Sequence, residues 1–367
     1  MIYPSVLAEL PTPALVLDGP VVRRNLHRLA SYASEHKLRV RPHAKTHKSI
    51  LLAGMQLESG AKGLTVAKWG EAEVMAEVCD DLLLAYPALD RWRASHLAWL
   101  ARRVNLHVAV DSTEAVDALA AATREAGSTL GMLVDLDVGM GRTGVQSPQA
   151  ALQLAQNVDR TPGVHLNGLL CYPGHIWNIG DEQVTALQMV SHRLQETINL
   201  WSRSGLEASI VSGGSTPTAY QSHQIPQLTE IRPGTYIFND MNTVRGGFCS
   251  LQDCAASILC TVVSNAVSGQ IVLDAGTKTL TSDRCIPALD SGHGLIVEYP
   301  GAVINKLSEE HGQVDVRRCE RIPQLGERVS VIPNHICPCI NLQTSAWWID
   351  DENIPTPIGI DARGKIV

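Results

Sequence analysis

The sequence contains no apolar run approaching the roughly 20 residues that a spanning helix needs, so no membrane-crossing helix is expected. It also lacks a basic surplus: Lys and Arg total 30 against 37 for Asp and Glu, a formal net charge of −7. Nucleic-acid coats and binders of anionic membranes need the opposite balance, which argues against both classes. The start, MIYPSVLAELPTPALVLD, has no basic segment ahead of a long apolar stretch, so no secretory signal is expected. The nine cysteines are scattered, and their odd number leaves at least one unpaired. That usage fits a reducing cytoplasm better than a secreted disulfide framework. Cys79, Cys249, Cys254 and Cys260 read as small buried apolar residues. There is no repeat of fixed period, no low-complexity segment, and no G-x-G-x-x-G fingerprint after the first strand.

What is present is a large core and a regular alternation. The chain has 367 residues, 45% of them hydrophobic, which suits one large domain plus a smaller one. Strand candidates are LRVRP (38–42), GLTVA (63–67), DLLLAY (81–86), NLHVAV (105–110), GMLVDLD (131–137), HLNGLLCY (165–172), ASIVSG (208–213) and LTEIRPGTY (228–236). Helix-like stretches separate them; the longest carries Val184, Leu187, Val190, Leu194 and Ile198 at helical spacing, with Gly205 as its stop. Eight such repeats predict an α/β fold, a (β/α)8 TIM-type barrel rather than an open sheet. After residue 245 strands dominate, predicting a C-terminal β-rich domain. The expected division is 12–245 for the barrel and 246–367 for the second domain, with residues 1–11 as candidates to join the latter. The strand TPALVLD lies outside the count of eight and could belong to either part.

The working face of such a barrel is the C-terminal end of its strands, so residues just after a strand count most. Lys45, in RPHAKTHKS, lies there. A lysine amine attacks a carbonyl only when unprotonated, and Arg41, Lys48, His43 and His47 are candidates to lower its pKa. The plain alternative is a solvated basic loop. After the seventh strand, SGGSTPT offers Gly213 and Gly214 for close backbone approach, with Ser212, Ser215 and Thr216 as hydroxyl donors. A helix starting after Pro217 would add N–H groups facing an anion. The alternative is an ordinary strand-to-helix turn. A reactive lysine after strand one with a phosphate cradle after strands seven and eight points to pyridoxal 5'-phosphate.

RPHAKTHKS, DVGMGRTGV, YPGH, SGGSTPT, RPGTY, LDAGTK and PNHICPCINL, in that order along nearly the whole chain, resemble the D-threonine aldolase and D-serine dehydratase family. That family shares the alanine-racemase-like barrel of fold-type III pyridoxal phosphate enzymes. The resemblance implies that Lys45 is the Schiff-base lysine and that the turn from Gly213 to Thr216 holds the phosphate. It further implies a cofactor-contacting set of Arg142, Tyr172, Ser212, Arg232, Gly234, Thr235 and Tyr236, with His43 and His175 as substrate contacts. Each of these also has an ordinary structural reading: a surface ion pair for Arg142, core packing for the tyrosines, a hydrogen-bonded structural residue for His175. A homodimer around the site, with the β-rich domain against the barrel mouth, is implied as well.

His335 and Cys337 stand two apart in PNHICPC and would share one face of a strand. Imidazole with thiolate favours zinc, with manganese or magnesium as alternatives, and two ligands leave the shell open for a Lewis-acid role. The alternative is a buried cysteine beside a surface histidine; the resemblance matches the pair to the family's metal position. Cys339 would point the same way on a strand, but is not assigned as a ligand. The cysteine tilts the expected reaction towards dehydration of 3-hydroxy-D-amino acids to a keto acid and ammonia, as in D-serine dehydratases. The alternative is retro-aldol cleavage to glycine and an aldehyde. An amino-acid racemase is remoter, because no second base can be assigned. A non-catalytic pyridoxal phosphate carrier would lack the β-rich domain.

Overall fold

The computed structural model describes residues 4–7 and 9–367. The chain divides into two compact units, one formed by 28–45, 52–234 and 365–367, the other by 46–51, 235–364 and the described part of 1–27. The first strand, β1 (Ala14–Asp18), belongs to the second unit. The next eight build the first: β2 (Arg39–Val40), β3 (Leu64–Val66), β4 (Asp81–Leu84), β5 (Asn105–Val110), β6 (Leu130–Asp135), β7 (Val164–Leu170), β8 (Ile210–Gly213) and β9 (Glu230–Ile231). Every pairing is parallel, in the order β2-β9-β8-β7-β6-β5-β4-β3. The two ends of that order meet: Thr65 N–H donates to Pro42 O and Lys62 N–H to Val40 O, with a parallel bridge from His43 to Thr65. All eight expected strands are present, and the curled parallel sheet is the one the alternation predicts.

Parallel strands are covered on both faces, and β6 (LGMLVD) is buried at all six positions. The helices supply the cover. In Asp181–Arg203 the inward stripe is Gln183, Leu187, Val190, Leu194, Thr197 and Trp201, while Val184 and Ile198 lie at its margin. The helix ends on Ser204, and Gly205 takes a left-handed φ of 77° beyond it. Ser112 and Ser147 cap the helices Thr113–Ala126 and Pro148–Arg160 by accepting from Ala115 and Ala150 N–H.

Gly168, inside β7, has φ 147°, and a Cβ there would lie 1.9 Å from Ile210 O of the neighbouring β8. Close backbone approach in the middle of the barrel wall therefore requires glycine. Gly168→Ala is expected to destabilise the protein by more than about 3 kcal/mol, since backbone rather than a rotatable side chain must move. A urea midpoint equal to that of the parent would overturn this.

The second unit is a sheet in the order β13-β14-β11-β10-β1-β16-β17 with β15 bridging β10 and β12. Its strands are β10 (Ala256–Ser264), β11 (Gln270–Leu273), β12 (Leu295–Ile296), β13 (Val303–Leu307), β14 (Gly312–Asp315), β15 (Arg328–Ile332), β16 (Ser345–Ile349) and β17 (Pro355–Gly359). β1 runs antiparallel to β10 and parallel to β16. Leu10, Ala14, Val16, Leu259 and Ile349 form one buried cluster of this unit, so the open question of TPALVLD is answered by its neighbours. Of the residues 1–11 weighed above, 1–3 and 8 lie outside the described residues.

Three expectations need correction. The segment LTEIRPGTY is strand only at Glu230–Ile231; Pro233 cannot donate to a ladder, and Thr235–Ile237 turn as a 3-10 helix. PNHICPC is not a strand: β15 ends at Ile332, and His335 is the N-cap of the helix Ile336–Leu342. Cys249 and Cys254 are partly exposed rather than buried. Among the described residues no helix is long and apolar enough to cross a membrane.

Candidate active site

Because the barrel strands are parallel, their C-terminal ends share one rim. Lys45 follows β2 in the short turn Ala44–Thr46 and is half-buried. Its flanking residues His43, His47 and Lys48 are buried, which removes the solvated-loop alternative. His43 Nδ1 accepts from Lys45 N–H at 3.4 Å, and His47 Nδ1 accepts from Ser49 N–H at 3.1 Å. Both rings therefore help hold the turn as acceptors.

The other expected sources of positive field also face elsewhere. Arg41 Nε donates to both Glu230 oxygens at 3.0 Å and Nη1 to Asp81 Oδ1 at 2.6 Å, so its charge is neutralised. Lys48 Nζ donates to Ala362 O at 3.3 Å. Ser212, read as a phosphate donor, donates its hydroxyl to Glu230 Oε1 at 2.6 Å, deep in the same network.

After β8 the chain turns at Gly214, φ 80°. Ser215 N–H donates to Thr218 Oγ1 at 3.1 Å and the two hydroxyls lie 3.0 Å apart, fixing the turn from within. No regular helix follows Pro217; a six-residue 3-10 segment, Ala219–Gln224, stands in its place. Arg232, just past β9, is buried; its N–H donates to Gly213 O and Nη2 donates to Cys171 O at 2.7 Å. Its Nε has no hydrogen-bond partner among the described residues.

On the neighbouring arc Arg142, which is exposed, lies over the Tyr172 ring at 4.9 Å. The Tyr172 ring occupies the space a side chain on Gly174 would need, and the His175 ring does the same above Gly139. Asp135, Asp137, Arg142, Thr143 and Tyr172 line one small crevice. Asp137 accepts N–H groups from Gly139, Met140 and Gly141; these hold it below the usual carboxylate range despite some burial. Asp135 was missed from the sequence. Burial pushes its carboxyl up to about 6, against a hydrogen bond from Thr143 and the charges of Arg232 and Arg142. Its place at the end of β6 was the available signal.

In the second unit His335 is half-exposed, with Nδ1 3.2 Å from Asp283 Oδ2. Burial opposes its protonation, but the side chains of Cys337, Asp240 and Asp283 outweigh this and raise it to about 9. Cys337 Sγ lies 3.3 Å from Thr46 Oγ1 and 3.6 Å from Thr235 Oγ1. Thr46 and Thr235 follow Lys45 and Gly234 directly in the chain. Tyr236 is buried within the Thr235–Ile237 turn. The helical twist sends Cys339 elsewhere; its buried thiol donates to Leu280 O at 3.1 Å. Among the described residues no three His, Cys, Asp or Glu side chains converge as a closed metal site.

Residues 18–242 match the alanine racemase N-terminal domain and residues 255–348 the putative serine dehydratase domain. The chain is 30% identical over 364 residues to D-threonine aldolase of Arthrobacter sp, covering 98% of this chain and 94% of the relative. The chain belongs to the D-threonine aldolase and D-serine dehydratase family. Within that family it is 32% identical over 358 residues to D-threo-3-hydroxyaspartate dehydratase of Delftia sp. (strain HT23), covering 91% and 92% of the two chains. The crystal structure of D-threonine aldolase from Filomicrobium marinum superposes with a TM-score of 0.91 at 30% identity, covering 98% of each chain. A cysteine-to-alanine variant of the Delftia dehydratase has been solved in a metal-free form. As a member of this family the chain is a lyase of the pyridoxal phosphate type.

The residues present fit that cofactor. Arg232 offers a buried Nε with no hydrogen-bond partner among the described residues, and the half-buried Lys45 and the Gly213–Gly214 turn follow strand ends on the same rim. A metal fits the His335 and Cys337 donor set by its chemistry, and Asp283 against Nδ1 would fix the ring's orientation.

Proposed function

We propose that this chain is a metal-assisted lyase of 3-hydroxy-D-amino acids that eliminates water to give a keto acid and ammonia. The observation that carries the reading is the His335 and Cys337 pair, with Cys337 held against the chain neighbours of Lys45 and Gly234. Pyridoxal phosphate, when bound, supplies the electron sink that makes the α-proton of an amino acid removable. Lys45 would hold it covalently, Arg232 would face it with the free Nε, and the Gly213–Thr216 turn would take its phosphate. Ser212 is left out of that phosphate set, because its hydroxyl is engaged by Glu230.

Lys45 Nζ would also be the group to take the α-proton. His335 and Cys337 would hold a divalent ion, zinc by their chemistry, whose Lewis acidity would weaken the bond to the β-hydroxyl. The metal-free form of the cysteine variant of the Delftia dehydratase supports a cysteine ligand here. The aldolase reading has the same residues and rests on the likeness to the Arthrobacter and Filomicrobium enzymes.

Product analysis separates the two. With D-serine or D-threo-3-hydroxyaspartate and zinc, keto acid and ammonia are expected. Glycine plus acetaldehyde from D-threonine, with no keto acid from any of them, would replace dehydration by cleavage. Cys337→Ala is expected to retain cofactor, lose bound metal and lose about 100-fold or more in activity, the rate equivalent of the several kcal/mol that Lewis-acid stabilisation supplies. Full activity of the parent in chelator would sink the metal role.

A further inference from the structure

Tyr32, His36, Tyr220 and His223 form an aromatic cluster in the barrel unit that the catalytic reading leaves without a task. Tyr32 lies in the last turn of the helix Gly19–Glu35 and His36 directly follows that helix. Tyr220 and His223 belong to the 3-10 segment Ala219–Gln224. The His36 and His223 rings are stacked, with centroids 4.2 Å apart and planes 11° from parallel. The Tyr32 ring tilts against His36 at 4.6 Å and meets Tyr220 edge-on at 5.4 Å, while the Arg28 guanidinium lies 4.7 Å over Tyr220. All of this pins the 3-10 segment to the end of the helix.

The pinning depends on the proton count of one ring. Tyr32 Oη accepts from His223 N–H at 3.0 Å, which leaves its own proton for His223 Nδ1, 2.9 Å away; Nε2 of the same ring lies 3.0 Å from the Gln224 amide. A neutral imidazole takes the Tyr32 proton at Nδ1. In an imidazolium both nitrogens donate, so Nδ1–H and the phenolic O–H would face each other. Burial, then the neighbouring His36, holds His223 below the usual histidine value, against the charge of Glu35. The segment so pinned continues the Gly213–Thr216 turn. Ser222 Oγ, next to His223, donates to Thr218 O at 3.0 Å, as does Gln221 N–H. Thr218 Oγ1 in turn accepts from Ser215 N–H at 3.1 Å and lies 3.0 Å from Ser215 Oγ.

We propose that the His36–His223 stack with Tyr32 is a pH-sensitive latch on the phosphate turn, closed while His223 is neutral and opened by its protonation. The inference rests on the assignment of the Gly213–Thr216 turn to the cofactor phosphate. Protonation removes the acceptor for the Tyr32 proton and places a cation against the face of His36, so residues 219–224 come away from the helix end. Thr218 then holds Ser215 less firmly. The titratable and charged groups around His223 are Tyr32, Glu35 and His36 on the helix side, with Tyr220 and its Arg28 on the other. The sign follows from linkage. A histidine held below its ordinary value of about 6.5 contributes stability that is full above that value and is lost as pH falls through the folded one.

Amide exchange of the full-length protein with its cofactor is compared at pH 7.5 and 5.5, after correction for the intrinsic effect of pH. Protection over residues 215–224 is expected to fall several-fold at the lower pH in the parent. It should stay level in His223→Gln, whose amide oxygen accepts from Tyr32 without titrating. His36→Phe keeps a stacked ring that carries no charge, so its opening should move to lower pH. Equal protection of the parent at both pH values, or the same loss in His223→Gln, would overturn the latch, and an unmoved opening in His36→Phe would remove the stack from it. Pyridoxal phosphate retained after dialysis at pH 5.5, read by absorbance, should be several-fold less in the parent than in His223→Gln. Equal retention despite opened exchange would overturn the connection to the phosphate turn. The exchange readout needs neither turnover nor the phosphate assignment, so its failure is distinguishable from failure of either reading.

Discussion

Lys45→Ala is expected to leave a folded protein from which borohydride can no longer fix cofactor, with activity lower by more than about 10³-fold. A general base alone contributes about 10²–10⁴-fold, and Lys45 is assigned both that task and covalent attachment. The expectation rests on where the residue stands. Lys45 stands in the turn after the first barrel strand, is half-buried between buried neighbours, and its side-chain nitrogen makes no hydrogen bond or ion pair among the described residues. A lysine kept for structure would be paired. Folding should be unaffected, because the turn is held by His43 and His47 ring acceptors and not by the Lys45 side chain. Mass spectrometry after borohydride reduction reads the result, and a variant still carrying fixed cofactor would remove Lys45 from the role.

Arg41→Ala is expected to be the most damaging change for stability, about 3–5 kcal/mol by denaturant melts, with cofactor chemistry affected only through unfolding. Arg41 is buried and engages Glu230 and Asp81 together, while Ser212 adds a bond to Glu230 and His107 lies 3.5 Å from Asp81. Removing the guanidinium leaves Glu230, itself buried, with an uncompensated charge. Arg41→Met with Glu230→Gln should cost less than Arg41→Ala, since part of the stranded charge is gone. A drop below about 1 kcal/mol for Arg41→Ala would refute the network's role, that being the range of an exposed pair. Acid behaviour supplies a second check. Burial pushes Asp81 up, yet hydrogen bonds from His107 and Arg41 prevail and hold it down to about 2. A depressed carboxylate contributes stability that is full above its unfolded pKa and is lost as pH falls towards about 2. Arg41→Ala should flatten that acid limb.

How far the sequence speaks depends on whether a residue's role is local. The barrel was legible because each of its strands is a short apolar run bounded by helix-like spacing, and burial on both faces demands that composition. Lys45, Arg142, Tyr172 and Arg232 were singled out by position, and each does stand beyond the end of a barrel strand. Arg41 and Ser212 were misread because their partner, Glu230, is about 190 and 18 residues away, and no spacing rule announces it. The His335–Cys337 pair was placed on the wrong element: the N-cap and first turn of a helix look like a strand end when Pro338 interrupts the apolar pattern. Asp240 and Asp283 act through partners 96 and 52 residues away, Ile336 and His335, and carried no local signal.

The interleaving of the two units has a consequence for biosynthesis. β1 is made first, yet its partners lie on β10 and β16: Ala14 pairs with Leu259 and Val16 with Trp347. At about 5–20 residues per second, β1 waits roughly 10–50 s on the ribosome before β10 exists to pair with it. An apolar strand, ALVLD, buried at its first four positions when folded, is unsatisfied throughout that interval. The nascent chain therefore presents an aggregation-prone edge for most of its elongation, and a holdase acting during synthesis is expected to raise soluble yield more than any change to the barrel.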